Sequence, residues 1–392
     1  MSELDTILNA WRGLHGNDRD AVLATVVHVT GSAYRSPGGR MLIVPGGHHI
    51  GCVSGGCLEG EITKKAWWLT ESGEPVVRVY DTTSDDDAFW GFGLGCSGLL
   101  HVLLERVNTP ATAQMLEFLS AHRITRTPVV MATVVRADAG SEIRIGDRLM
   151  LDDSSAPVGS LSGSAIASQA MLHTVSALRE KRSRLAHIGA TSVFVEYIRP
   201  ALSLAVFGAG HDSVPLVNLA SQLGWEVTVA DWRPGYARPE RFPGASRVVQ
   251  IAEADPLREI AIDSDTAVVM MTHNYPMDLV LLPHILSRCP GYLGMVGPRA
   301  RADRLFTVLG LNPPVSVHAP AGLDAGCDSP TAIALSIAAE IQAVTNSRPG
   351  GMLKHREEPI HAPVHESGSS PQEEKAAAVR LSCCETTIER HA

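Results

Sequence analysis

The sequence has no long apolar run. None of its 392 residues lies in a stretch that approaches the ~20 consecutive apolar residues needed to cross a bilayer. Residues 1–20 are polar and hold no apolar core of a signal peptide. We therefore expect a cytoplasmic protein with no membrane partner.

Paired cysteines and basic runs are missing as well. The seven cysteines are odd in number and scattered, which argues against a disulfide framework and for a reducing compartment. Cys52 and Cys57 lack the paired spacing of a structural zinc site. With a net charge of −9 and no long basic run, the chain is not expected to bind nucleic acid. No convincing pair of acid and base side chains stands out.

One segment of the chain is present twice. Several residues recur at a constant offset of 108 positions. Ala24-Thr25-Val26-Val27 recurs as Ala132-Thr133-Val134-Val135, and Arg40 recurs as Arg148. Gly51, Ser54 and Gly55 recur as Gly159, Ser162 and Gly163. The positions lost are Cys52, Cys57, Glu59 and Glu61, which become Ser160, Ala165, Ala167 and Gln169. A repeat that keeps glycines and apolar residues but drops thiols and carboxylates has kept a fold and lost a site.

The pattern of elements predicts an α/β protein in which a duplicated α+β region precedes a Rossmann-like domain with a parallel sheet. We expect the first repeat over residues 1–107, a degenerate second repeat over 108–200, the Rossmann-like domain over 201–347 and a polar, disordered tail over 348–392. The strands expected in the Rossmann-like domain are Leu202–Phe207, Glu226–Ala230, Arg247–Ile251, Ala267–Thr272 and Tyr292–Val296. Ser329 and Pro330 are typical of the start of a final helix.

Gly55, Gly56 and Cys57 stand where a strand meets a helix in the first copy. Glycines allow backbone amides to approach a ligand, and a helix N-terminus favours anions and lowers the pKa of a thiol. Cys57 is therefore a candidate nucleophile, sulfur carrier or soft-metal ligand, and Glu59 accompanies it. The alternative is a small buried residue at a tight turn, which the fold tolerates, since the second copy has Ala165 at this position.

A second glycine-flanked cysteine, Cys96, lies in Gly93-Leu94-Gly95-Cys96-Ser97-Gly98. This segment belongs to about 17 residues that the second copy lacks. A glycine-rich loop can wrap an anionic or planar ligand and leave its cysteine accessible. The alternative is a turn that leads into the next strand.

Gly208-Ala209-Gly210-His211 follows an apolar strand and opens a helix, as a dinucleotide-binding fingerprint does. Asp231 ends the next strand, where a carboxylate can hold a ribose hydroxyl. The same fold can persist for packing or bind another phosphorylated cofactor.

Two further loops follow predicted strands, where open α/β sheets bind ligands. One holds His273 and the other Arg299, whose guanidinium matches the geometry of a phosphate. Arg301 and Arg304 are expected to be solvated on a helix surface.

These motifs together resemble the XdhC/CoxI family. Four segments resemble the N-terminal domain of that family: Gly31-Ser32, Pro37-Gly38-Gly39-Arg40, Ser54-Gly55-Gly56-Cys57-Leu58-Glu59 and Gly93-Leu94-Gly95-Cys96. Three segments resemble its C-terminal domain: Gly208-Ala209-Gly210-His211, Gly297-Pro298-Arg299 and Gly322-Leu323-Asp324-Ala325-Gly326. Members are accessory proteins of xanthine-dehydrogenase-type molybdenum hydroxylases. The resemblance implies a homodimeric carrier, rather than an enzyme, that binds molybdenum cofactor (molybdopterin), supports its sulfuration by a cysteine desulfurase and inserts it into the hydroxylase.

The resemblance also assigns expected roles. Cys57, with Cys96 as the alternate, is expected to contact sulfur or the cofactor's molybdenum. The residues expected to bind the cofactor or a nucleotide are Gly55, Gly56, Arg40, Gly208, Gly210, His211, Asp231, His273 and Arg299. Two alternatives stay open: an NAD(P)-dependent oxidoreductase that uses the Rossmann domain, and a non-catalytic subunit of the hydroxylase complex.

Overall fold

The structure, a computed structural model, describes residues 2–14, 20–31, 33–81, 98–138, 140–152, 156–357 and 365–367. These residues form two compact units. The N-terminal unit comprises the described residues of 16–119, 127–199 and 361–392, and the C-terminal unit comprises those of 1–15, 120–126 and 200–360. Every helix in this part of the chain is too short or too polar to span a bilayer.

Along the described residues, α-helices are separated by runs of one to three strands. The α-helices are α1 (Glu3–Gly13), α2 (Glu59–Leu69), α3 (Pro110–Thr125), α4 (Ala167–Glu180), α5 (Ser213–Gln222), α6 (Tyr275–Leu286), α7 (Arg299–Leu309) and α8 (Pro330–Thr345). The strands are β1 (Val22–Gly31), β2 (Arg40–Ile43), β3 (His49–Gly51), β4 (Val76–Asp81), β5 (Gly98–Arg106), β6 (Val129–Arg136), β7 (Arg148–Asp152), β8 (Arg184–Ile188), β9 (Thr191–Ile198), β10 (Ser203–Phe207), β11 (Glu226–Asp231), β12 (Arg247–Gln250), β13 (Thr266–Met270), β14 (Tyr292–Met295), β15 (Val317–His318) and β16 (His365–Ser367).

The first copy of the repeat forms a five-stranded antiparallel sheet in the N-terminal unit. Its strand order is β3-β2-β1-β5-β4. Helix α2 covers one face because Ile62 and Ala66 pack against Val22, Ala24 and Val26 of β1. Each valine or isoleucine side chain buried in this way contributes roughly 1.5–3 kcal/mol relative to exposure.

The second copy builds the same arrangement again. Strands β7, β6, β9 and β8 pair as β2, β1, β5 and β4 do, and α4 covers the sheet. The pairing of β1 with β5 shifts register between Val26 and His28, and the pairing of β6 with β9 shifts between Val134 and Arg136. Strand β16 is added beside β8. The matched registers confirm the predicted duplication.

Two buried ion pairs join the copies crosswise. Arg40 of the first copy donates to both carboxylate oxygens of Glu196 at 2.8 and 2.5 Å. Arg148 of the second copy donates to Glu105 Oε1 at 2.5 Å. Each arginine also donates from Nη1 to the carbonyl of the glycine two residues before it. All four charged side chains are at most 6% exposed, so removal of one charge leaves its partner buried alone.

The C-terminal unit holds a six-stranded parallel sheet. Its strand order is β12-β11-β10-β13-β14-β15, the order of the doubly wound dinucleotide-binding fold. Helices α5 and α8 pack on one face and α6 and α7 on the other. The predicted fold class is confirmed, and the switch point of the sheet lies between β10 and β13.

The predicted final helix begins as expected. Ser329 precedes α8, and its hydroxyl accepts a hydrogen bond from the amide of Ala332 at 3.3 Å. The short strand β15 was not among the predicted elements. Its two residues carry too little pattern to stand out in the sequence.

Helix α1 belongs to the C-terminal unit although it lies at the start of the chain. Its Asp5 pairs with Arg123 near the end of α3 at 2.7 Å. Ser2 caps the helix and accepts from the amide of Asp5 at 3.2 Å. Two stretches of the N-terminal half therefore complete the unit that contains the parallel sheet.

Candidate functional site

The segment between β3 and α2, residues 52–58, is here called the Gly-Cys loop. The carboxylate of Glu59 lies under it and accepts hydrogen bonds from four consecutive backbone amides. These are the amides of Val53, Ser54, Gly55 and Gly56, at 3.0, 2.8, 3.1 and 2.8 Å. The hydroxyl of Ser54 donates a fifth bond at 2.5 Å. One side chain therefore fixes the backbone of almost the whole loop.

Glu59 is only 4% exposed. Burial by itself would raise the pKa of its carboxyl group, but the bonds from the hydroxyl and amide of Ser54 and from the amides of Glu59 and Val53 together outweigh it and lower that pKa to about 2. The group is therefore ionised near neutral pH. Its oxygens are committed to the loop, so the structure gives Glu59 a positioning role. The part in the chemistry that the sequence suggested for it stays a prediction.

Gly55 and Gly56 both have left-handed backbones, with φ of +82° and +114°. A Cβ on Gly55 would lie 2.7 Å from the ring of Tyr34, whereas a Cβ on Gly56 would meet no atom within 4 Å. The amides of both glycines point towards Glu59. Because both amides already donate to Glu59, the predicted binding of a ligand by these amides would require the loop backbone to change conformation. The loop does leave open space next to the Cα of Gly56.

Cys57 is exposed, two residues before the start of α2, and Cys52 is half-buried. The loop thus presents the Cys57 side chain next to a helix N-terminus, as the sequence indicated. Cys96 lies outside the described residues. Arg40, expected to bind the cofactor, lies in the buried ion pair with Glu196 and not at the loop surface.

One pair of side chains in the first copy was missed by the sequence analysis. His28 of β1 is directly opposite His101 of β5, and the centres of their rings are 5.1 Å apart. Burial, and then the neighbouring His28, lower the pKa of His101. The corresponding pair in the second copy is Arg136 and Ser192. The offset of 108 residues between His28 and Arg136 was the signal that could have found it.

In the C-terminal unit, the loop after β10 approaches the neighbouring strand closely. Gly208 has φ of +115°, and a Cβ there would lie 2.3 Å from the carbonyl oxygen of Met271. Only glycine fits such an approach. A Cβ on Gly210 would lie 2.4 Å from Asp212 Oδ1, and His211 is exposed. These residues stand where the fingerprint predicted.

Asp231 ends β11 and is fully buried. Its oxygens accept from the amide of Ala209 at 2.7 Å and from the amide, Nε and Nη2 of Arg233 at 2.9, 3.0 and 2.8 Å. Burial alone would raise the pKa of this carboxyl group, but the Arg233 side chain and these amides lower it. The residue expected to hold a ribose hydroxyl is thus engaged by protein donors.

His273 and Asp212 form a pair across the switch point. His273 Nε2 lies 2.7 Å from Asp212 Oδ2, and the two residues come from the loops after β13 and β10. His273 has φ of +51°, a left-handed conformation that is uncommon for a side-chain-bearing residue. The imidazole is 59% exposed, so it can meet a ligand at the edge of the sheet.

The loop after β14 leads into α7, where Arg299 is exposed. Arg301 is not simply solvated, contrary to expectation, because it pairs with buried Asp278 at 2.5 Å. Asp278 also accepts from the hydroxyl of Thr272. Arg304 lies with its guanidinium carbon 5.1 Å from the centre of the Tyr275 ring. Of these arginines, Arg299 and Arg304 are exposed, and the binding of a ligand by Arg299 stays a prediction.

Metal ligands do not cluster in the part of the chain that the structure describes. No group of three or more histidine, cysteine, aspartate or glutamate side chains there is placed to hold a metal ion. A metal in contact with Cys57 would need most of its other ligands from the molecule that brings it.

Family models match both units of the chain. The model of the XdhC and CoxI family matches residues 14–81 and 123–189, which are the two copies of the repeat. The model of the XdhC Rossmann domain matches residues 204–341.

Similar proteins are found among bacterial relatives and solved structures. A protein of Bacillus subtilis that is named as a probable subunit of xanthine dehydrogenase is 32% identical over 343 residues, which cover 87% of this chain and 97% of the relative. The Escherichia coli molybdenum cofactor insertion chaperone PaoD is 23% identical over 83% of this chain and 84% of its own. A crystal structure described as a xanthine dehydrogenase from Bacillus halodurans has a TM-score of 0.74 at 31% identity and covers 89% of this chain and 97% of its own.

Proposed function

This chain belongs to the XdhC and CoxI family, and we propose that it binds molybdenum cofactor and inserts it into a xanthine-dehydrogenase-type molybdenum hydroxylase. The names of two relatives support this role, since one is a molybdenum cofactor insertion chaperone and the other a probable component of xanthine dehydrogenase. We further propose that the protein works in the cytoplasm as a homodimer and receives sulfur for the cofactor from a cysteine desulfurase.

The observation that carries the proposal is the exposed Cys57 on a loop whose backbone is fixed by Glu59. Thiolate sulfur is a soft ligand that suits molybdenum, and a position before a helix favours the thiolate. A fixed loop holds the sulfur in one place and loses little conformational entropy on binding. Gly56 has no side chain and faces open space, which leaves room for a planar ligand beside the thiol.

Transport of molybdenum cofactor requires binding groups rather than catalytic groups at this site. A carrier must bind and release the cofactor, and the cysteine desulfurase supplies the chemistry of sulfuration, so no general acid or base is required of the loop. Glu59 acts through the loop, by keeping four amides in place. Cys96 is the alternate candidate for contact with the metal.

Cofactor binding by the purified full chain tests the proposal. Molybdenum cofactor is added anaerobically to wild type and to Cys57→Ser, and bound molybdenum is measured after gel filtration. We expect about one cofactor per chain for wild type and a loss of at least about tenfold in affinity for the variant, since a contact to the metal is removed. Cys289→Ser is the matched control, because Cys289 is also exposed but lies in the C-terminal unit.

Each outcome of this experiment bears on a different part of the proposal. If wild type does not retain the cofactor, the carrier function is wrong. If Cys57→Ser binds the cofactor and transfers it to the apo-hydroxylase as wild type does, the role of Cys57 is wrong and the carrier function stands.

The C-terminal unit supports a second candidate function, an NAD(P)-dependent oxidoreductase. The strand order, the Gly208 loop and the exposed His273 paired with Asp212 favour it, because they combine a nucleotide fold with a group able to transfer a proton. Hydride transfer from NAD(P)H to a small substrate, lost in His273→Ala, would support this function. A non-catalytic hydroxylase subunit would instead co-purify stably with the enzyme.

A further inference from the structure

The end of β11 carries a group of planar cations and rings that no part of the proposed function has yet used. We call Trp232, Arg233, Tyr236 and Arg241 the β11 cluster. The guanidinium carbon of Arg233 lies 3.8 Å from the centre of the Tyr236 ring and 4.5 Å from that of Trp232. That of Arg241 lies 5.0 Å from the Tyr236 ring. In a sheet of this order, the end of the second strand is where the adenosine ribose of a dinucleotide lies.

Arg233 blocks the usual partner of that ribose. Asp231 is fully buried, and three of its four hydrogen bonds come from Arg233. A ribose hydroxyl could reach the carboxylate only by displacing the guanidinium, which would give up two charge-assisted bonds. The surface offered at this point is therefore the guanidinium of Arg233, which is 35% exposed, and not the carboxylate.

Arg241 adds a positive charge beside the glycine loop. Its Nη1 donates to the carbonyls of Ala209 and Tyr236 at 2.7 and 3.1 Å. In the described part of the chain no carboxylate lies within ion-pair distance of Arg241. The nearest acid on the same segment is Glu240, which is exposed and lies 3.9 Å from Arg238. With the charge of Arg233 balanced by Asp231, the cluster keeps a net positive charge.

We infer that the C-terminal unit binds a nucleotide whose ribose carries a 2′-phosphate, as in NADP⁺, in preference to the same nucleotide with a free ribose hydroxyl. A phosphate has the acceptor geometry that guanidinium forks match, and the adenine ring can stack on the Arg233 and Tyr236 planes. Nucleotide binding by this unit is itself proposed above, and the inference specifies its ligand.

Calorimetric titration of the full chain tests this preference. The probes are NADP⁺, NAD⁺ and adenosine 2′,5′-bisphosphate. We expect NADP⁺ to bind about tenfold tighter than NAD⁺ or better, since the 2′-phosphate makes charge-assisted hydrogen bonds that a ribose hydroxyl cannot make. Adenosine 2′,5′-bisphosphate should bind as well, because the preference resides in the adenosine end.

Two variants locate the preference. Arg241→Gln should abolish most of it and leave the fold intact, because Arg241 has a partly exposed side chain without an ion pair in the described chain. Arg233→Gln should abolish it as well, but can also destabilise the unit by leaving Asp231 without its cation. Arg247→Gln, on β12 and paired with exposed Glu259, is the matched control and should bind as wild type.

Equal or tighter binding of NAD⁺ by wild type, or an unchanged preference in Arg241→Gln, would overturn the inference. The absence of binding by all three probes would overturn it too. Binding of molybdenum cofactor, measured on the same variants, keeps this failure separate from a failure of the carrier function, which depends on Cys57.

Discussion

The two copies of the repeat share a frame and differ in how the turn before the helix is held. In the first copy, Glu59 receives four amides of the Gly-Cys loop. In the second, Ala167 stands at that position, and backbone hydrogen bonds within residues 159–167 form the turn. Ser160 ties its start to β7, since its hydroxyl accepts from the amide of Arg148 at 3.0 Å and donates to Asp147 at 2.7 Å. The fold therefore forms this turn without a buried carboxylate. A turn of this kind thus does not require Glu59, which fits the part proposed for Glu59 in the site of the first copy.

We expect the largest loss of stability when one of the two buried ion pairs that join the copies is broken. Arg40→Ala and Arg148→Ala should each destabilise the protein by about 3–5 kcal/mol, because each leaves a buried carboxylate without its cation. The two losses should be similar, since the pairs occupy matching places in the two copies. Unfolding of the N-terminal unit in urea, followed by a probe assigned to that unit, measures the effect.

An exposed ion pair of the same unit is the control for this comparison. Arg144 and Glu74 are 74% and 64% exposed, and Arg144→Ala should cost less than about 0.5 kcal/mol. A loss below about 1 kcal/mol for either buried arginine would contradict the view that both copies depend equally on the crossed pairs.

These pairs also mark the limit of what the sequence could predict. The repeat and the parallel-sheet domain could be predicted because the offset of 108 residues, the periodicity of the strands and the helix cap at Ser329 are local or regular patterns in the sequence. The ion pair between Arg40 and Glu196 joins residues 156 positions apart, and no local sequence pattern predicts it. For the same reason Arg40 was assigned to the cofactor, as the sequence cannot tell a buried partner from a ligand.

The engagement of Asp231 could not be predicted either. Its position at the end of β11 was correctly expected, but the same position serves a ribose or an arginine equally well. The choice depends on where the Arg233 side chain turns, which is set by contacts with Trp232 and Tyr236. Site geometry of this kind arises from side-chain packing, after the fold is formed.

We expect the next largest loss of stability when Glu59 is replaced by alanine, the residue that the second copy has at the matching position, Ala167. Glu59→Ala should destabilise the protein by about 2–3 kcal/mol, because four amides and the hydroxyl of Ser54 lose a charged acceptor in a buried place. It should also lower the affinity for molybdenum cofactor, since the loop is no longer fixed. Urea unfolding and the cofactor-binding assay measure the two effects.

Glu61→Gln is the matched control for that change. Glu61 is also a carboxylate of the first copy alone, and the second copy has Gln169 in its place. It is 48% exposed and pairs with Lys65, so its loss should change stability by less than about 0.5 kcal/mol. Equal effects of the two substitutions would contradict the assignment of Glu59 as the support of the loop.

The pH dependence of stability gives a smaller effect of the same origin. The pKa of Glu59 is lowered from 4.5 to about 2 in the folded state, so its contribution is fully present above pH 4.5 and is lost as the pH falls towards 2. The difference in free energy of unfolding between wild type and Glu59→Gln should shrink by about 1 kcal/mol between about pH 7 and about pH 3.5. A difference that stays constant over this range would show that the charge of Glu59 does not hold the loop.

The smallest effect concerns the histidine pair that the second copy lacks. Because the pKa of His101 is lowered in the folded state, the unfolded chain takes up a proton first as the pH falls through its ordinary value of 6.5, and stability declines. His101→Ser, which copies Ser192, should remove part of that decline. Unfolding curves at about pH 7.5 and about pH 5.5 measure the change, and His48→Ser, at an exposed histidine of the same unit, is the control. If His101→Ser and wild type lose the same stability between these two pH values, then the pKa of His101 is not lowered in the fold, and the first copy differs from the second in the Gly-Cys loop more than in its sheet.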